Sequence, residues 1–104
     1  MATAVKLRWT PLAASHLESV NQYLAQDNPV AATTMVERIL SAVDVLEQHP
    51  QMGRTGRVPR TRELVITGTA FVVAYRVRRD QVEILAVLHG ARRWPDRLSG
   101  PGAE

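Results

Sequence analysis

Between Ala70 and His89 the chain alternates. In AFVVAYRVRRDQVEILAVLH, Phe71, Val73, Tyr75 and Val77 share one face of an extended strand, while Val72, Ala74, Arg76 and Arg78 share the other. After Arg79-Asp80, Val82, Ile84, Ala86 and Leu88 fall on one face, against Glu83, Leu85, Val87 and His89. Folding back about Arg79-Asp80 sets Val77 opposite Val82, Tyr75 opposite Ile84 and Phe71 opposite Leu88. A loop of two or four residues keeps that register, and three would slip it. The expected hairpin has one apolar face that needs a cover. Its other face is open and carries an Arg76–Glu83 pair and His89.

Upstream, the period changes. Val5 to Trp9 reads as a short strand with Val5, Leu7 and Trp9 inward. Thr10-Pro11 is a helix start, threonine capping and proline at the first helical position. Ala13, Leu17, Val20 and Leu24 then form an apolar stripe to about Gln26. Asn28-Pro29 repeats the punctuation, and Ala32, Met35 or Val36, Ile39, Val43 and Leu46 carry a second helix to about Gln48, where His49-Pro50 ends it. Two helices so closely joined form an antiparallel hairpin. His49 to Arg60, with two glycines and two prolines, reads as a loop, and Thr61 to Thr67 as a strand turned by Gly68-Thr69. Gly90 ends the last strand.

The order is βααβββ, an α+β two-layer domain in which a helical hairpin covers one face of a small, mainly antiparallel sheet. One domain is expected over 1–104, with its core at about 5–95 and a frayed tail at 96–104.

Composition narrows the chemistry. The 104 residues contain no cysteine, which excludes disulfides and thiolate metal sites and suits a reducing cytoplasm. No apolar run approaches the ~20 residues of a membrane span, Met1 to Ala4 does not open a secretory signal, and His16 and His49 have no partner pattern, so no metal or cofactor is expected. The net charge is only +3, but twelve of the thirteen basic residues are arginine and ten of those lie at or beyond Arg54. A GC-rich coding bias would also supply arginine. The asymmetry nonetheless makes the C-terminal half attractive to an acidic partner, nucleic acid or an acidic protein segment.

Four motifs in order resemble a known family: Met52-Gly53-Arg54 after the second helix, Arg62-Glu63-Leu64 entering a strand, Val73-Ala74-Tyr75-Arg76-Val77, and Val87-Leu88-His89-Gly90 closing the last strand. On the βααβββ frame, from about Val5 to Pro95, they are similar to the RelE/ParE superfamily of toxins from bacterial type II toxin–antitoxin modules. The resemblance implies a small basic cytoplasmic toxin neutralised by a cognate antitoxin, ParD-like or RelB-like. It also implies one of two targets. RelE-like members are ribosome-dependent endoribonucleases acting on mRNA. ParE-like members inhibit DNA gyrase, the branch associated with plasmid stabilization, and are not enzymes in this role.

RNA cleavage needs a base for the ribose hydroxyl, an acid for the leaving oxygen and cations for the phosphorane charge. The nuclease branch places an arginine where this chain aligns Val72, and some members have a C-terminal tyrosine, whereas no tyrosine follows Tyr75 here. A nuclease built on this chain would use His89 with Arg76, Arg92 or Arg93. The resemblance therefore leans to the ParE-like branch, with the RelE-like nuclease and a degenerate, non-toxic binding module as alternatives. The expected partner-binding residues are Arg62, Arg76, Arg78, Glu83, His89, Arg92, Arg93 and Trp94. Five of them also have a plainer structural role: a cross-strand pair for Arg76 and Glu83, a loop anchor for Arg62, a strand terminator for His89 and a packing residue for Trp94.

Overall fold

The structure is a computed structural model that describes residues 5–91 and Trp94. The elements run β1 (Lys6–Trp9), α1 (Pro11–Ala25), α2 (Pro29–Asp44) with a short 3₁₀ turn at Val45–Glu47, β2 (Arg54–Thr55), β3 (Arg62–Val65), β4 (Phe71–Arg78) and β5 (Gln81–His89). They form a five-stranded sheet in the order β1-β5-β4-β3-β2, in which only β1–β5 is parallel. The expected α+β two-layer frame is present.

Local chemistry starts each helix where the sequence placed it. Thr10 Oγ1 accepts from Ala13 N ahead of Pro11, and Asn28 Oδ1 accepts from Ala31 N ahead of Pro29. The stripes then meet the sheet. Ala13, Ile39, Val43 and Leu46 pack with Leu64, Val73, Tyr75, Val82, Ile84 and Val87 in the main core. Full burial of each large apolar side chain stabilises by about 1.5–3 kcal/mol. Val5, Leu7 and Trp9 pack at its margin.

Three expectations change. The loop after α2 contains a strand, the two-residue β2, which pairs Arg54 with Glu63 and Thr55 with Arg62. It is too short to show any periodicity.

The second correction concerns register. The turn at Arg79-Asp80 is tight, with Arg79 left-handed (φ 56°), and the expected pairs Val77–Val82 and Tyr75–Ile84 are found. Between Tyr75 and Ala74 the register shifts, because β5 carries one extra residue, Leu85. Beyond this bulge Phe71 faces His89, not Leu88, and Val87 and His89 turn to the helix side while Ala86 and Leu88 turn away. The bulge lies where β1 leaves the sheet and Thr10 closes on Ile84 O through both N and Oγ1.

Third, the face away from the helices is not bare. Val72, Ala74, Leu85 and Ala86 form a second cluster beneath Trp94, with Val58 and Leu88 against it. The part around Arg76 and Glu83 and the end carrying Arg54 remain open.

Candidate functional site

The open face is organised around two buried carboxylates. Glu83 is 5% exposed and lies between Arg8 on β1 and Arg76 on β4, its exact neighbours in the sheet register. Arg8 Nη1 reaches it at 3.0 Å, Arg76 Nε bonds the other oxygen, and Arg78 Nη1 approaches at 4.0 Å. Glu63, 3% exposed, anchors the other end of the face. Its Oε1 accepts from Arg54 Nε and Nη2, and its Oε2 from the backbone N–H and Nε of Arg57 at 2.7 and 3.0 Å. Arg57 also lies 3.7 Å over the Trp94 ring and donates to Gly90 O. Its guanidinium thus ties the loop to both Glu63 and the C-terminal cover.

Burial pushes the pKa of both carboxyls up, but hydrogen bonds and charge from the arginines outweigh it. For Glu63 these come from Arg57 and Arg54, for Glu83 from Arg76, Arg78 and Arg8, and both groups end below their ordinary value of 4.5. His16 is also lowered, from 6.5, by burial. A lowered value means that the unfolded chain binds more protons, so all three groups stabilise at higher pH and lose that contribution on acidification. Two stages of loss are expected in denaturant melts, one below pH 6.5 from His16 and a steeper one below pH 4.5 from the glutamates. His16→Gln flattens the first stage and Glu63→Gln the second; unchanged slopes in both variants would refute the assignment.

The sequence-derived residues divide between the two faces. Arg76, Arg78 and Glu83 lie on the open face as expected. Arg62 is a loop anchor, donating to Gly53 O at 2.8 Å and to Gln51. Trp94 is the cover already described, its Nε1 donating to His89 O at 3.1 Å. Arg92 and Arg93, and the tail expected at 96–104, lie outside the described residues.

His89 was expected on the open face and is not there. It sits on the helix side against Phe71, with ring centroids 6.0 Å apart, and its Nδ1 accepts from Ala91 N. Its row and the Arg76–Glu83 row are six residues apart along β5, roughly 20 Å on an extended strand. His89 and Arg76 therefore cannot act together on one phosphate. Val72, where a cation was sought, is 4% exposed beneath Trp94.

Beside α1, His89 joins His16, Val20, Tyr23, Phe71 and Val87 in lining a groove of about 390 Å³, which Leu88 and Trp94 of the other face complete at the end of β5. His16 Nδ1 accepts from Val87 N, capping a backbone donor of β5 beyond the end of β1. Sequence reasoning missed His16, Glu63 and Arg8. Arg8 was within reach, since alternation in Val5 to Trp9 turns it away from the core; the partners of His16 and Glu63 depend on tertiary contacts. No group of three or more metal-ligating side chains occurs among the described residues.

Comparison with known proteins places this chain among toxins. The family model described as the ParE toxin of the type II toxin–antitoxin system parDE matches residues 7–94. The chain is 43% identical over 93 residues to a protein of Sinorhizobium fredii named as toxin Y4kP, covering 89% of this chain and 96% of that one. It is 34% identical over 84 residues to toxin RelE2 of Caulobacter vibrioides, covering 81% and 93%. A solved structure from the chromosomal ParDE TA system of P. aeruginosa superposes with a TM-score of 0.74 at 28% identity, covering 83% of this chain and 96% of that one.

Proposed function

Because the chain belongs to the ParE toxin family of type II toxin–antitoxin systems, we propose that it acts as a ParE-like toxin, binding and inhibiting DNA gyrase until a cognate antitoxin neutralises it. The observation that carries this reading is the burial of Val72 under Trp94. The position at which the nuclease branch uses an arginine holds an aliphatic side chain closed off by an indole. Around it, Arg76 is bound to Glu83, and His89 faces the helices. A general acid, a general base and a cation do not converge among the described residues, whereas a surface for binding another protein needs no such set.

The antitoxin's place on this reading includes the groove between α1 and the end of β5. Val20, Phe71 and Val87 give it an apolar floor, and Tyr23, 72% exposed, stands at its rim. An amphipathic helix fits such a groove, and a stable complex would bury more than ~1,200 Å² in total. The outer edge of β1 is short, so strand addition would contribute less. The chain would act as one unit in the cytoplasm, where its targets are, and a plasmid- or chromosome-stabilizing role follows from the toxin–antitoxin pairing.

The second reading, a ribosome-dependent mRNA endoribonuclease, is favoured by the RelE names of the Caulobacter relatives. The two readings separate in cells expressing the chain without antitoxin. Primer extension on their mRNA is expected to show no codon-phased cuts, and His89→Ala is expected to leave growth inhibition within about twofold of the parent. Phased cuts that disappear in His89→Ala would overturn the proposal, because a positioned acid or base typically contributes roughly 10²–10⁴-fold to such cleavage. Unimpaired growth in both strains would favour a degenerate binding module.

A further inference from the structure

The sheet face turned away from the helices carries more positive charge than its own carboxylates neutralise. Two rows cross it in register: Lys6, Gln81 and Arg78, then Arg8, Glu83 and Arg76. Arg54 and Arg57 stand at the other end around Glu63. That places six cations against two carboxylates.

The arrangement in depth matters as much as the count. Both carboxylates lie at the base of the face, with side chains 7% exposed or less, whereas those of Arg54 and Arg78 are 58% and 59% exposed. The glutamates fix where the guanidinium groups stand without screening their outward side. From solution the face is therefore positive, and several of its cations are held in place before any ligand arrives. Arginine in such positions presents paired N–H donors suited to phosphate oxygens.

The same face offers little to a protein partner. Protein interfaces draw their energy from apolar and aromatic anchors that lose water at the centre of the patch. Here the central apolar residues Val72, Ala74, Leu85 and Ala86 are already covered by Trp94, and Val65 is exposed only at the end of β3. Exposed cations around a covered apolar centre suit a polyanion whose backbone contacts need no such anchor. From β1 to β2 the sheet spans four inter-strand steps, roughly 19 Å. That is the axial length of about five to six base pairs.

We propose that this open face binds the phosphate backbone of double-stranded DNA, without reading base sequence. The proposal does not depend on which enzyme the toxin inhibits, because it concerns the isolated chain and a duplex. Lys6, Arg8, Arg54, Arg57 and Arg78 are the contact residues, whereas Arg76, its side chain only 17% exposed, is a positioning residue with Glu63 and Glu83.

The test is fluorescence anisotropy of a labelled mixed-sequence duplex titrated with the full-length chain at several salt concentrations. With about four phosphates contacted, affinity should fall about 10²-fold between about 50 and about 200 mM salt. Arg78→Gln and Arg54→Gln should each weaken binding and lower the salt slope by about 1. Arg38→Gln, an exposed charge on α2, should change neither affinity nor slope by more than the loss of net charge brings at long range. Arg78 makes only a 4.0 Å approach to Glu83, so its variant decides the matter should Arg54→Gln fail to fold. No binding at about 50 mM salt would overturn the proposal. So would binding that Arg38→Gln weakens as much as Arg78→Gln does. A poly-glutamate peptide of matched charge that binds more tightly than the duplex would overturn it in favour of an acidic protein segment.

Discussion

Tyr75→Ala is expected to lower unfolding free energy by about 3–5 kcal/mol, the range for removing a large aromatic side chain from a core that cannot collapse around the gap. Tyr75 is the largest fully buried side chain among the described residues, sits in β4 between β3 and β5, and touches the helix layer through the main core. Its hydroxyl also accepts the Gly53 N–H at 2.8 Å, and so ties the loop after α2 to the sheet. Tyr75→Phe separates the two roles: it keeps the ring and should cost about 1 kcal/mol, the worth of one hydrogen bond. The approach is close enough that a Cβ on Gly53 would lie 2.6 Å from the Tyr75 hydroxyl, which explains why glycine follows Met52. Urea melts of the two Tyr75 variants measure both numbers; equal losses in Ala and Phe would mean that the hydroxyl, not the ring, holds this region.

Trp94→Ala should cost about 3 kcal/mol, at the low end of the range for buried tryptophan because its ring is fixed by one loop and one strand end. The ring covers Val72, Ala74, Leu85 and Ala86, its Nε1 holds His89 O, and Arg57 stacks on its outer surface. Removing it exposes the second apolar cluster and frees Arg57 from one of its three attachments, leaving Glu63 and Gly90 O, while Glu63 keeps Arg54. Hydrogen exchange should report the damage locally, with faster exchange at Val72, Ala74 and Ala86 than at residues of the main core. Trp94→Phe keeps an apolar cover but loses the hydrogen bond to His89 O, and should recover most of the stability. Wild-type exchange at these amides in Trp94→Ala would show that the indole is not a cover.

Elements with a strong period or a capping signal were legible in the sequence. Thr10-Pro11 and Asn28-Pro29 start the helices as their chemistry requires, and the pairing next to the Arg79-Asp80 turn follows from alternation. Legibility fails at a definite place. From Ile84 to Leu88 every residue is apolar, so a one-residue slip costs no burial and the sequence carries no register information. The bulge at Leu85 falls inside that run, and with it goes the side on which His89 stands. The Arg76–Glu83 pair, next to the turn and before the bulge, was read correctly. The partners of Glu63 were not, because they come from a loop whose conformation is set by contacts distant in sequence. The cover over Val72 was legible only in part: Trp94 reads as a packing residue, but nothing local says that it reaches Val72, Ala74, Leu85 and Ala86.

These observations converge on β4 and β5. One side of this hairpin completes the core and borders a groove suited to a helical partner. The other is a covered apolar patch ringed by arginines held on two glutamates. On the proposed reading both surfaces bind partners, and the described residues bring no acid, base and cation together on either side. Gyrase supercoiling provides the decisive measurement: purified, folded, full-length chain is titrated against the enzyme, relaxed plasmid and ATP. Inhibition of supercoiling with accumulation of cleaved plasmid, relieved by adding the antitoxin, is the predicted result. Normal supercoiling at a large excess of the folded chain would contradict it.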